Sequence, residues 1–186
     1  MPAAEPLPRL VAAESLTREA FLPYGELVTP GAQAGMSINA GSAQRFDAPG
    51  GIDVDDSAGA ACLTIFRTLD APSTGPIRLR AFERHLLGSQ TFVPLAGGRC
   101  LCVVTGGEHA PDEAAVRAFF VEPGQGITLR RGVWHHPLIT LGPADVLVIE
   151  RRAAQVDCEL QQIAGSILVV LDDAAGPGKG SNDEHR

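Results

Sequence analysis

The chain reads as an all-β protein, a small barrel or sandwich with one or two short helices. Two observations predict this: short runs of β-forming residues recur, and turn residues rich in Gly and Pro divide them. Strands are expected over Cys62–Thr68, Ile77–Glu83, Gln90–Leu95 and Arg99–Val104, then Ile127–Leu129, His135–Leu141 and Val146–Glu150. Thr17 can cap a short helix, Arg18–Leu22, which Pro23 and Gly25 end. A second helix is expected over Asp112–Phe119. Pro111 suits a first turn, and Asp112 and Glu113 suit its positive end. Residues 30–60 are loop-rich, as functional loops of compact domains often are. Residues 1–9 and 172–186 read as poorly ordered tails, and residues 10–171 as one domain without internal repeats.

Bulk properties bound the function. A chain of 186 residues buries roughly 70% of the surface its unfolded form exposes, so it needs no disulfide to fold. A net charge of −7 argues against nucleic acid or an anionic membrane as the main partner. A small anionic substrate stays open, because local arginines decide that. No apolar run approaches the ~20 residues of a membrane span. Glu5 and Pro6 stand where a secretory signal would need charge and then apolar residues, so the expected location is the cytoplasm. Cys62, Cys100, Cys102 and Cys158 form no C-x-x-C pair and read as buried free thiols, with Cys100 and Cys102 on one strand face.

Three of the five histidines fall in two short blocks, Glu83-Arg84-His85 and Arg131-Gly132-Val133-Trp134-His135-His136-Pro137. Adjacent histidines on a strand point to opposite faces, so one of His135 and His136 looks inward. The spacing Glu83-x-His85-x4-Gln90-x6-Gly97 followed by Gly132-x-x-His135 resembles the two motifs of cupin-like jelly-roll barrels. Glu stands where those motifs carry a first histidine, and Gln where they carry an acid. Residues two apart share a face, and an opposed strand can complete a four-donor set in the barrel mouth.

A longer pattern is more specific. Glu83-Arg84-His85-x-x-Gly88-Ser89-Gln90-x-Phe92-x-Pro94-Leu95, Pro111-Asp112, Arg117-Ala118-Phe119, Gln125-Gly126 and the block Arg131–Pro137 resemble the ureidoglycolate lyase family. So do Ile38-Asn39-x-Gly41 and Arg45-Phe46-Asp47, and the likeness runs from about residue 16 to residue 160. It implies a cupin-like barrel, a homodimer, and a carbon–nitrogen lyase (amidine-lyase type) that releases urea from ureidoglycolate to leave glyoxylate in allantoin (purine) catabolism. It also implies use of a divalent metal such as nickel. By position, His85, Gln90 and His135 fall on the metal site, with Glu83 beside them as fourth ligand or base. His85, His135 and Glu83 are then the catalytic candidates. Arg45 and Arg67 are candidate clamps for the substrate carboxylate. His136 and Trp134 are candidates for substrate contact, although His136 can equally be the outward neighbour of His135 and Trp134 a core or interface residue.

Three departures from the family pattern stand out. Leu129-Arg130 replaces Tyr-His, Glu150-Arg151 replaces Asp-Arg, and Val156-Asp157-Cys158 replaces Asp-Asn-Cys. They keep two alternatives open: a cupin acting on another small hydroxy or ureido acid, or a non-catalytic cupin that binds a small acid.

Overall fold

A computed structural model of the chain describes residues 7–32, 34–48, 51–69 and 75–171. The expected tails at 1–6 and 172–186 lie outside the described residues. Arg9, placed by sequence in the N-terminal tail, instead opens the first strand, because Arg9 to Ala12 pair in parallel with Ile167 to Val170.

Sixteen strands lie among the described residues. β1 (Arg9–Ser15), β2 (Gly25–Val28), β3 (Met36–Ile38) and β4 (Ala43–Arg45) come first. β5 (Gly59–Thr68), β6 (Ile77–Arg78), β7 (Ala81–Arg84), β8 (Gln90–Pro94) and β9 (Cys100–Thr105) follow. β10 (Arg117–Val121), β11 (Gly126–Leu129), β12 (Trp134–His135) and β13 (Ile139–Thr140) lead to β14 (Ala144–Ala153), β15 (Glu159–Gln162) and β16 (Ile167–Val170). One sheet runs β15-β7-β12-β9-β10-β1-β16-β6, with β13 also on β9, a second runs β2-β11-β8-β14-β5, and β3 pairs with β4 alone. The fold is the expected all-β, cupin-like jelly roll.

The expected first helix is present as α1 (Arg18–Phe21), where the Thr17 side chain accepts the Ala20 N–H at 3.1 Å. The second is not. Asp112 caps only a single 3-10 turn, Glu113–Ala115, and Val116 is already extended. The reason is two-sided burial: Phe119 and Phe120 are adjacent and fully buried in different clusters, which a strand allows and a one-sided helix does not.

The same alternation builds two cores. On β9, Cys100, Cys102 and Val104 face the five-stranded sheet, while Leu101 and Val103 face away. The first set meets Phe92 of β8, Leu129 of β11 and Val146 and Val148 of β14 between the sheets. The second set packs with Val11, Phe82, Trp134, Ile167 and Val169, which sit on strands of its own sheet. A cluster drawn from one face of a single sheet requires that sheet to curl around it. Gly25 shows how closely β2 approaches its neighbour: a Cβ there would stand 1.9 Å from the Thr128 carbonyl oxygen.

The cysteines divide. Cys100 and Cys102 are buried on one face as expected, and burial pushes the Cys100 thiol up to about 11. Cys62 is half-buried, and Cys158 is exposed because it precedes β15, whose four residues all face solvent. Among the described residues no helix is long and apolar enough to cross a membrane.

Trp134 is fully buried in the curled-sheet core, with the Arg84 guanidinium 4.3 Å from its ring centroid. The Trp134→Ala variant should lose about 3–5 kcal/mol of stability. Chemical denaturation checks this, and an unchanged midpoint would rule out the core role.

Candidate metal centre in the barrel mouth

Alternation also decides which side chains meet. On β12, Trp134 fills the curled-sheet core, so His135 faces the gap between the sheets. On β7, Phe82 joins Trp134, so Glu83 faces the same gap, directly across from His135 in register. On β8, Phe92 is in the between-sheet core and Gln90, two residues earlier, shares its face. His85 follows β7, two residues after Glu83. The four residues therefore converge at one end of the barrel.

The polar contacts fix their orientation. His135 Nδ1 bonds the Val133 carbonyl at 3.0 Å, so that nitrogen carries a proton. Its Nε2 lies 3.1 Å from Gln90 Oε1 and 3.6 Å from Glu83 Oε1. Gln90 cannot turn its amide to help, because its Nε2 donates to Glu150 Oε2 at 3.0 Å. A carboxamide oxygen thus faces an imidazole lone pair, an arrangement that calls for a proton or a cation between them. His85 donates its Nδ1 proton to the Asp157 carbonyl, which leaves its Nε2 as a lone pair that is buried and unpartnered.

The donor atoms of Glu83, His85 and His135 lie within 4.8 Å of one another. Burial raises the Glu83 pKa, but His135 and His85, when protonated, outweigh it and hold Glu83 below the ordinary carboxylate value. Two imidazole nitrogens, a carboxylate and an amide oxygen, with one lone pair orphaned, form a set that fits a divalent metal.

Gly132 sets up the second block. Its φ of +77° is a left-handed conformation that glycine adopts readily, and its N–H donates to the His85 carbonyl at 2.7 Å. The turn that delivers His135 is thereby tied to the loop that carries His85.

A cleft of about 410 Å³ opens onto Glu83, His85 and Gln90, and Glu150, Arg151, Arg152 and Asp157 also line it. The profile of the ureidoglycolate lyase family matches residues 8–170 of the chain. The chain belongs to the ureidoglycolate lyase family. It is 38% identical over 165 residues to the ureidoglycolate lyase of Pseudomonas syringae pv. syringae (strain B728a), covering 88% of this chain and 96% of that protein. The ureidoglycolate lyase of Pseudomonas putida (strain W619) is 36% identical over 167 residues, 88% of this chain and 98% of its own. That of Burkholderia cepacia is 37% identical over 153 residues, 81% and 84% of the two chains.

Of the residues the family resemblance singled out, the structure brings together His85, His135, Glu83 and Gln90. Arg45 lies elsewhere, exposed and paired with Asp47, as does Arg67, paired with Asp145 at 2.7 Å. Trp134 is on the opposite face of β12. His136 is half-buried: its Nδ1 bonds the Pro137 carbonyl at 2.8 Å and its Nε2 accepts the Arg80 N–H at 3.4 Å. Burial lowers its pKa, so it stays neutral.

Of the three departures, Leu129 is buried between the sheets and Arg130 bonds the Leu22 carbonyl, both outside the cleft. The other two departures are cleft residues. Glu150 and Asp157 stand out in the sequence only as mismatches to the family pattern, and Arg151 only as the matching neighbour of one, with nothing to show that they reach the site.

His85 supplies an unpartnered lone pair rather than a core contact. The His85→Ala variant should keep its far-ultraviolet dichroism and lose divalent-metal binding by calorimetry. Undiminished binding would exclude His85 as a ligand.

Proposed function

We propose that the chain cleaves ureidoglycolate to glyoxylate and urea, as a metal-dependent lyase of purine (allantoin) catabolism in the cytoplasm. What supports this reading is the convergence of His85, His135, Gln90 and Glu83 beside an open cleft in a chain of this family.

Ureidoglycolate carries a carboxylate, a hydroxyl and a urea nitrogen on one carbon. Its breakdown removes a proton from the hydroxyl, breaks the carbon–nitrogen bond and protonates the leaving nitrogen. A divalent metal, with nickel the first candidate, held by His85, His135, Gln90 and Glu83 would polarise the hydroxyl and lower its pKa. Glu83, whose pKa is lowered, serves either as that fourth ligand or as the base that takes the hydroxyl proton. The reaction releases one proton at oxygen and consumes one at nitrogen, so the same carboxyl can return it to the urea.

The substrate carboxylate is assigned to Arg151, in place of Arg45 and Arg67. Arg151 lines the cleft, and its Nε donates to the Asp55 carbonyl at 2.8 Å, which holds the planar guanidinium against the wall. Glu150 steadies the Gln90 amide and leaves its second oxygen at the cleft, where urea N–H donors would arrive.

Homodimerisation belongs to the same proposal. β5 ends the five-stranded sheet, and its Leu63 and Ile65 are 70% and 52% exposed. A long edge strand with exposed apolar residues is a surface that proteins normally cover. Light scattering should give twice the chain mass, and a Leu63→Glu/Ile65→Glu double variant should halve it. A wild-type monomer would remove the dimer from the account.

Urea release from racemic ureidoglycolate, by metal-reconstituted protein beside a chelated sample and a protein-free blank, tests the function. Rapid release abolished by chelation is expected, and release no faster than the blank would overturn the reading. The Arg151→Ala variant should raise KM by roughly 10–100-fold through loss of a charged hydrogen bond. Arg45→Ala and Arg67→Ala should leave KM unchanged.

A further inference from the structure

We infer that Asp157 is a positioning residue for His85, fixing both the loop that carries the imidazole and the ring's tautomer. Its Oδ1 accepts the Leu86 N–H at 2.9 Å and its Oδ2 the Leu87 N–H at 2.8 Å. Its main-chain carbonyl accepts the His85 Nδ1 proton. One residue thus holds two consecutive amides after β7 and the imidazole before them.

β15 pairs with β7 from Glu159 onward, and the Asp157 carboxylate fixes the residues just before that ladder. Val156 is 81% exposed, Cys158 is exposed, and all four residues of β15 face solvent, so apolar burial contributes little. Two charge-assisted amide bonds dock the segment on the His85 loop. That loop is held from its other sides as well: Gly132 N–H bonds the His85 carbonyl and Asp55 N–H bonds the Leu87 carbonyl, each at 2.7 Å.

With the backbone held there, the Asp157 carbonyl takes the Nδ1 proton. The unpartnered Nε2 lone pair is left as the donor atom of the Glu83–His85–His135 group. A carbonyl that orients a ligating histidine is a recurrent support for metal sites, and losing such a partner weakens affinity by roughly 10–100-fold. Without the carboxylate the turn ahead of the β15–β7 ladder loses its tie to the His85 loop, the Asp157 carbonyl shifts from Nδ1, and the proton distributes over both ring nitrogens.

This inference rests on the reading of His85 as a metal ligand, and the test separates the two. Long-range ¹H–¹⁵N spectra of the metal-free protein report each histidine tautomer, and calorimetry with Ni²⁺ alone reports affinity. Wild-type protein should show His85 protonated at Nδ1. Asp157→Ala should show mixed His85 tautomers, an unchanged His135 signal and Ni²⁺ affinity weaker by roughly 10–100-fold. Asp157→Asn, which keeps one acceptor oxygen, should fall between.

A wild-type His85 spectrum in Asp157→Ala would overturn the proposal. If that variant fails to fold, an unaltered spectrum and affinity in Asp157→Asn overturn it instead. Absence of Ni²⁺ binding by wild-type protein would count against the metal reading, while the tautomer spectra still decide the role of Asp157.

Discussion

Two backbone carbonyls govern the site. Val133 takes the Nδ1 proton of His135 and Asp157 that of His85, so both imidazoles present Nε2 to the same small volume. A histidine whose tautomer floats would offer a proton as often as a lone pair, and no metal or proton chemistry could be organised around it. The Gln90–Glu150 bond performs the same service for the amide, turning its oxygen toward His135. The site is therefore built from hydrogen bonds that remove choices, and the cleft above it inherits that order.

The fold supplies the faces. β9 and β10 each send alternate residues into two separate cores, and β7 and β12 obey the same rule with one change: their between-sheet residues are Glu83 and His135 in place of apolar ones. Trp134 and Phe82 anchor the other face of those strands. A one-residue slip of β12 against β7 would turn Trp134 into the gap beside Glu83 and send His135 into the curled-sheet core. The packing of the curled-sheet core and the alignment of the donors are thus one constraint.

Much of this was legible in the sequence. Alternating β-formers marked the central strands, and the Glu83-x-His85 and Gly132-x-x-His135 spacings marked the donors, because period-two geometry converts spacing directly into a shared face. The exposed Glu159–Gln162 strand carries no apolar alternation, so nothing local signalled it. The expected Asp112–Phe119 helix gives way to a turn and a strand because Pro111 and Asp112 begin a turn as well as a helix, and burial on both sides of Phe119–Phe120 then favours a strand. Arg45 and Arg67 matched a family pattern in one dimension, yet their partners Asp47 and Asp145 lie away from the cleft. Arg151 and Asp157 reach the site through long-range contacts that spacing does not encode.

The most direct test of the central claim is an anomalous-diffraction map of crystals loaded with a divalent metal. The account predicts a single strong peak bound by Nε2 of His85 and of His135, with oxygens from Glu83 and Gln90 completing the set. A metal seated elsewhere, or an imidazole bound through Nδ1, would contradict it.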